Sequence, residues 1–397
     1  MVSAALGASA GLVILQLGLL KVFAQAPQLQ PLPADDHDPS LLFCSTALTV
    51  VIPAFNEADN IASCLESVLS SDTPCQHWQV VVVDDGSTDT TSEVAVATAQ
   101  LYSASSAEFT LLNAGPRPSG ERWVGKNWAC ARAMDLVRSE WILFVDADVC
   151  LKPDAIRRAL QQAVAEDVDL FSLAPRLVCG CLAEWMVQPI MASLLGLGFP
   201  IVAANDPESK VAFAAGPFML FRRNAYVAIG GHRELASEVV EDLALARRIK
   251  QSGYRLRYLL GLDVVDLRMY QDLASLWEGW TKNWFLGLER DVFKALGAST
   301  AVVLMFAAPW ILVVTSFVLM VLFPSHLVGW LALNIICVLA LAQQLLLRLW
   351  HRHRFAVPIT KWWLMGAGGL LIGAIGPVSV WRTLTGQGWT WKGRPLA

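Results

Sequence analysis

Phe144-Val145-Asp146-Ala147-Asp148 closes an apolar run that opens at Trp141. An apolar run with no polar alternation fits a strand buried on both faces, the kind found in parallel sheets. The same design recurs upstream. Val50-Val51-Ile52-Pro53-Ala54-Phe55-Asn56-Glu57 and Val81-Val82-Val83-Asp84-Asp85-Gly86-Ser87-Thr88-Asp89 each run from an apolar strand into a polar loop. Helical stretches follow over 59–69, 88–100 and 126–137, and a weaker strand falls at 109–112. Strands alternating with helices predict an α/β fold with a mostly parallel sheet and helices on both faces. Ligands in such sheets bind at the carboxyl ends of the strands, where these motifs sit.

The side chains at those ends suggest chemistry. On an extended strand residues i and i+2 face the same way, so Asp146 and Asp148 are expected to converge. Like carboxylates at a buried strand end repel unless a cation lies between them. A divalent metal, Mg or Mn, bridging a diphosphate would resolve this and stabilise its departure. Asp85 is placed to accept from a nucleobase N–H or a ribose hydroxyl. Gly86 permits the tight turn, and Ser87 or Thr88 can cap the next helix. In Val239-Val240-Glu241-Asp242-Leu243 the adjacent carboxylates point about a quarter turn or more apart on a helix. Only one can address a given reacting atom, so Asp242 is assigned as general base and Glu241 as its support. Plain turn, capping and helix-dipole chemistry accounts for any one of these motifs taken alone.

The chain has 397 residues, of which 55% are hydrophobic and 16% charged, with net charge -4. Soluble domains carry about a quarter charged residues, and here the apolar excess gathers at the two ends. The slightly acidic balance excludes a nucleic-acid footprint. Eight cysteines lie at 44, 64, 75, 130, 150, 179, 181 and 337, with no C-x-x-C pair. Cys179-x-Cys181 is too tight for zinc spacing, and all eight read as reduced thiols. No Gly-x-Gly-x-x-Gly follows the first strand, against a dinucleotide-dependent oxidoreductase.

Residues 1–26 read as an uncleaved transmembrane anchor, because no Lys or Arg precedes the apolar run and Lys21 follows it. Residues 27–46 form a polar linker with Pro31, Pro33 and Pro39. A catalytic domain over 47–298 and a membrane region over 299–384 follow, then a basic tail over 385–397. The stretches 301–323 and 327–347 are long enough to span. Arg348, Arg352, Arg354 and Lys361 form the basic connection after them, which puts that loop and the catalytic domain in the cytoplasm. The spans hold almost no interior ionisable residues, which argues against a transporter. The glycine-rich stretch 362–380 breaks at Pro377 and reads as a span, a re-entrant segment or an interfacial one. The apolar run 185–204, interrupted by Pro189 and Pro200, reads equally as a core helix or an interfacial segment.

Taken together and in this order, the four motifs resemble family 2 glycosyltransferases of the GT-A (Rossmann-like) fold, over residues 48 to about 290. The resemblance implies that Pro53, Asn56 and Glu57 line the nucleotide pocket and that Asp85 holds the base. Gly125-Lys126-Asn127-Trp128-Ala129 is similar to the segment before the metal strand, which puts Lys126 near the donor's phosphates or sugar. Asp148 matches the metal ligand, with Asp146 on the donor side, and Asp242 matches the base. Processive members carry Gln/Arg-x-x-Arg-Trp after the base. Here Trp277-Glu278-Gly279-Trp280-Thr281-Lys282-Asn283 lacks the arginine, which leaves Lys282 as a point charge for the diphosphate and argues against polymer synthesis. This variant, Gly216-Pro217-Phe218 near the acceptor region and Trp391-Lys392-Gly393-Arg394 resemble the carotenoid- and hopanoid-associated branch. More narrowly, they resemble cyanobacterial carotenoid (myxol-type) 2'-O-glycosyltransferases. The implied partners are a nucleotide-sugar donor, a lipophilic hydroxyl acceptor such as a carotenoid, and the bilayer. A polyprenyl phosphate, a hopanoid or a glycerolipid is the alternative acceptor. A non-catalytic nucleotide-binding membrane protein is the alternative of another class.

Overall fold

A computed structural model describes residues 1–32, 46–198, 201–355, 357–387, 389–392 and 394–396. Cys44, Pro33, Pro39, Pro200 and Gly393 lie outside the described residues. The chain divides into two compact units. One holds Ala26–Arg176 and Phe199–Arg268, and the other holds Met1–Gln25, Leu177–Gly198 and Met269–Pro395.

The first unit is built on a seven-stranded sheet. Its strands are β1 (Ala47–Ala54), β2 (His77–Asp84), β3 (Glu108–Asn113), β4 (Trp141–Val145), β6 (Leu170–Ala174), β8 (Phe218–Arg222) and β9 (Leu256–Leu260), in the order β3-β2-β1-β4-β8-β6-β9. β5 (Val149–Leu151), β7 (Arg176–Leu177) and β10 (Val265–Leu267) form a small second sheet. All four strands expected from the sequence are present. Val80, Val81, Val82 and Val83 of β2 are fully buried, so helices cover both faces as a continuous apolar strand requires.

Register decides what meets at the sheet edge. β1 pairs parallel to β2 with Ala54 opposite Asp84, and parallel to β4 with Val51 opposite Phe144. Their carboxyl ends therefore share one edge. β8 is the antiparallel member. It pairs with β4 with Phe218 opposite Val145, so its amino end reaches that same edge. The unit's helices lie near their expected places, at Ile61–Leu69, Thr91–Leu101 and Gly125–Ala133. The stretch expected to be helical to 137 stops at Ala133. Its described linker residues are tethered: Leu29 N–H donates to Leu260 C=O (3.0 Å) and Arg158 Nε to Gln30 C=O (2.9 Å).

Among the described residues, the second unit contains four helical segments long and apolar enough to cross a membrane: Val2–Gln25, Val292–Leu322, Pro324–His353 and Ile359–Leu384. The last has 56% of its apolar window buried against 28% for each of the others, which marks it as the one packed inside the unit. Its helix runs through Pro377 without ending there. Its glycines explain the packing. A Cβ on Gly368 would lie 2.0 Å from the Met186 carbonyl oxygen, and one on Gly376 would lie 1.7 Å from Ser299 Oγ. Small residues let backbones approach this closely.

The run 185–204 falls mainly in Leu182–Gly198, a helix of this second unit and not of the sheet's core. Pro189 lies inside it and cannot donate to the Trp185 carbonyl one turn earlier. A π-type turn at Val303–Ala307 also leaves carbonyls open, and buried Gln344 Nε2 donates to Met305 C=O (2.9 Å) and Phe306 C=O (3.1 Å). Backbone at membrane depth must be satisfied internally in this way.

One expectation is corrected here. Arg348 is not part of a solvated basic loop. Its helix continues to Phe355, and Arg348 is fully buried. A fully apolar span was read too short because the residues past 347 include polar ones, yet they remain helical, and Arg348 and His351 are buried.

Candidate active site

The loops after β1 and β2 are stitched together by side chains. Asn56 has a left-handed backbone (φ 52°), and its Oδ1 accepts from Thr88 N–H (2.8 Å). Asn56 N–H donates to Ser87 Oγ (2.9 Å), and Ser87 Oγ–H donates to Asp84 Oδ1 (2.6 Å). Glu57 N–H donates to Thr91 Oγ1 (2.8 Å), while its carboxylate accepts from Asn60 Nδ2 (2.8 Å). Ser87 and Thr88 thus tie the two loops and do not cap the next helix. Asp89 serves that end, accepting from Thr91 N–H (3.0 Å). Pro53, Asn56, Glu57 and Asp85 are brought to one edge, as expected.

Asp85 is not presented bare. Its Oδ2 pairs with Arg117 Nη2 at 2.7 Å, and Arg117 Nη1 donates to Trp123 C=O (3.0 Å). Asp85 is 5% exposed and Arg117 25%. Arg117 escaped the sequence reading because it lies in a loop without periodicity, 32 residues from its partner.

β4 ends at Val145, so Asp146 and Asp148 lie on the turn beyond it and not on an extended strand. Their fates diverge. Asp146 Oδ1 pairs with Lys126 Nζ at 2.5 Å. Asp148 Oδ1 is buried without a hydrogen-bond partner. Burial, with Asp146 adding to it, pushes the Asp148 carboxyl up to about 8. A buried carboxylate oxygen with no donor is the feature a cation would satisfy. Among the described residues no three His, Cys, Asp or Glu side chains form a ready cage. That suits Mg²⁺ or Mn²⁺ held by one carboxylate plus substrate phosphates. The residues present therefore fit a divalent metal on Asp148.

Lys126 is the hub. It bridges Asp146 and Glu241, the latter at 2.7 Å. Burial alone would lower Lys126, but the two carboxylates hold its ammonium well above the ordinary lysine value. Burial would raise Glu241, yet Lys126 holds it below the usual glutamate range. Asn127, next along the helix, donates from Nδ2 to Leu235 C=O (2.5 Å) and Glu238 C=O (2.8 Å). It thereby fixes the loop that leads into the helix Glu241–Gln251.

On that helix's first turn Glu241 pairs with Lys126, while Asp242 takes backbone partners. Asp242 Oδ2 accepts from Gly216 N–H (3.1 Å), and its Oδ1 accepts from Leu243 N–H (2.7 Å). Burial, with Glu241 adding to it, pushes the Asp242 carboxyl up to about 6. Gly216 reaches Asp242 because β8 is antiparallel. Buried Ser172 anchors this backbone, its Oγ accepting from Ala215 N–H (2.8 Å) and donating to Ala215 C=O (3.2 Å). Behind the site, His232 Nδ1 meets Tyr226 Oη at 2.7 Å and packs edge-on to Phe144. Burial pulls His232 down to about 3, so it stays neutral. Lys282 lies on the helix Leu273–Gly287 of the other unit.

Residues 49–230 match the family model described as Glycosyl transferase family 2. The chain is 31% identical over 247 residues to the 4,4'-diaponeurosporenoate glycosyltransferase of Staphylococcus aureus strain USA300, and equally to that of strain NCTC 8325 / PS 47. Each match covers 62% of this chain and 62% of the relative, so the chain spans less than two thirds of the curated relatives it matches. Among solved structures it is similar to the mannosyltransferase PcManGT from Pyrobaculum calidifontis, in complex with GDP-Man and Mn²⁺, with TM-score 0.52 and 18% identity. That likeness covers 95% of this chain and 98% of the other, and it shows a shared GT-A fold.

Proposed function

We propose that this chain, whose residues 49–230 form a family 2 glycosyltransferase domain, transfers a sugar from a nucleotide-sugar donor with inversion onto an apolar, membrane-resident acceptor. One observation carries this reading. Asp242 is a half-buried carboxylate oriented by two backbone N–H groups and raised to about 6, beside the Lys126 bridge to Asp146 and Glu241. A general base works best when its pKa lies near the operating pH.

In this mechanism Pro53, Asn56, Glu57 and Asp85 receive the nucleoside, with Arg117 orienting Asp85. Asp146 and Lys126 flank the sugar and phosphates. A divalent metal held by Asp148 supplies Lewis-acid stabilisation of the leaving diphosphate when bound. Asp242 takes the proton from the acceptor hydroxyl as that oxygen attacks the anomeric carbon. Glu241, tied to Lys126, keeps that ammonium in place. Holding both substrates in one geometry contributes much of the acceleration.

The acceptor is read as a carotenoid, with a polyprenyl phosphate, hopanoid or glycerolipid as alternatives. The four apolar helices support placing it in the bilayer, and the basic residues Arg352, Arg354 and Lys361 in the sequence after the stretch 327–347 favour the catalytic unit on the cytoplasmic face. The name of the relatives favours a second reading, because 4,4'-diaponeurosporenoate is an acid anion. A carboxylate acceptor brings no proton to remove. Asp242→Asn separates the two. With a hydroxyl acceptor it loses about 10²–10⁴-fold in turnover while donor binding persists. Turnover that survives the substitution rejects Asp242 as base and favours the carboxylate acceptor.

A further inference from the structure

Four carboxyl groups gather around a single ammonium in the first unit. Lys126 Nζ lies 2.5 Å from Asp146 Oδ1 and 2.7 Å from Glu241 Oε1. A Cβ on Gly216 would lie 3.3 Å from that Nζ and 3.1 Å from Asp242 Oδ2, so the ammonium also stands near the base. Its charge acts on Asp148 as well, the carboxylate whose buried Oδ1 has no hydrogen-bond partner. Each of these acids has a task when substrates are bound. Without a donor their charges still need balance, since like carboxylates at a partly buried site repel.

Lys126 supplies that balance and also holds off other cations. A positive charge fixed near Asp148 repels a divalent ion there, and the repulsion is strong where water is partly excluded. Asp146, from which such an ion would gain a second carboxylate, is already taken. Among the described residues no three His, Cys, Asp or Glu side chains form a cage that would outweigh this. The two pairs are not equal. Glu241 is 10% exposed, on the first turn of its helix, whereas Asp146 is 26% exposed, on the turn after β4. The more exposed pair is the weaker one. An arriving diphosphate, which carries more charge than a carboxylate, therefore exchanges with Asp146 and not with Glu241.

We propose that Lys126 is a built-in counter-cation that keeps free divalent metal out of this acid cluster until the donor's diphosphate draws its ammonium off Asp146. Glu241 retains Lys126 at the site during the exchange. Asp146 and Asp148 then become available together, so metal enters with the donor and not before it. The device rests on Asp148 being the metal ligand, as read above.

The test uses the full chain in neutral detergent and reads Mn²⁺ binding from water proton relaxation, which rises when the ion is held on a slowly tumbling protein. No turnover enters the assay. Wild type is expected to bind Mn²⁺ alone about tenfold or more weakly than Mn²⁺ with UDP or GDP present. Lys126→Met and Lys126→Gln should raise the affinity for Mn²⁺ alone by about tenfold or more, whereas Lys126→Arg, which keeps the charge, should not. Adding Asp148→Asn to Lys126→Met should remove the gain. Wild type that binds Mn²⁺ alone as tightly as with nucleotide overturns the proposal. That comparison needs no variant, so misfolding of a variant leaves the proposal open to refutation. Nucleotide-dependent Mn²⁺ binding in wild type with no gain in folded neutral variants overturns it too, and spares the metal site on Asp148. Absence of Mn²⁺ binding under every condition overturns both.

Discussion

Replacing Gly216 by Ala tests the geometry of the base directly. The added Cβ would lie 3.1 Å from Asp242 Oδ2, 3.3 Å from Lys126 Nζ and 3.4 Å from Asp242 Cβ. Gly216 is not among the left-handed glycines, so alanine meets crowding and not backbone strain. The carboxylate must give by a few tenths of an ångström, and doing so stretches its bond from Gly216 N–H, now 3.1 Å. Loss of a hydrogen bond to a charged group is worth about 1.5–3 kcal/mol, or roughly 10- to 100-fold in rate. That N–H also holds the Asp242 carboxyl down, so weakening it moves the carboxyl further above about 6. The assay is kcat and KM for donor across pH. The expected variant has a kcat lower by that factor, a near-normal donor KM and an acid limb at higher pH. A Gly216→Ala enzyme with unchanged kcat and unchanged acid limb would refute the reasoning.

Three other perturbations follow from the same structure. Lys126→Met strands Asp146 and Glu241 facing each other. It should lower stability by roughly 1–3 kcal/mol, since Lys126 and Asp146 are only partly buried, and raise the acid limb, because Lys126 holds Asp242 down. Thermal unfolding and a pH–rate profile read both effects. Asp148→Asn should abolish the Mg²⁺- or Mn²⁺-dependent part of nucleoside diphosphate binding in calorimetry while leaving the fold intact. Persistence of that metal effect removes Asp148 as the ligand. Gly368→Ala drives a methyl against the Met186 backbone and should destabilise the helical unit by about 1–3 kcal/mol or more. Gly297→Ala meets nothing within 4 Å and should be tolerated in the same melting experiment.

The strands carrying the site were legible because parallel strands buried on both faces leave continuous apolar runs, as at 80–83 and 141–145. Asp85, Lys126, Asp146, Glu241 and Asp242 were legible as acids and a lysine at those strand ends or at a helix start. What joins them was not. Arg117, Ser172 and Asn127 act through contacts 32, 43 and 108 residues away in sequence, and no local period announces such pairs. The role of Gly216 depends on β8 running antiparallel, a reversal that hydropathy does not encode. Arg348 was misplaced for a physical reason. Charge near the end of an apolar run reads as a loop, although a helix can continue and bury it. The break expected at Pro377 is absent, and only the neighbouring helices reveal why small residues stand at 366–376.

The central claim is transfer of sugar to an apolar membrane acceptor by way of Asp242. Its most direct test is mass spectrometry of pigments and polar lipids from a host lacking this gene, complemented with wild type or with Asp242→Asn. The account predicts that a carotenoid glycoside disappears, its sugar-free form accumulates, and only the wild-type gene restores it. Unchanged glycolipids and pigments in the deletion strain, or full restoration by Asp242→Asn, would contradict it.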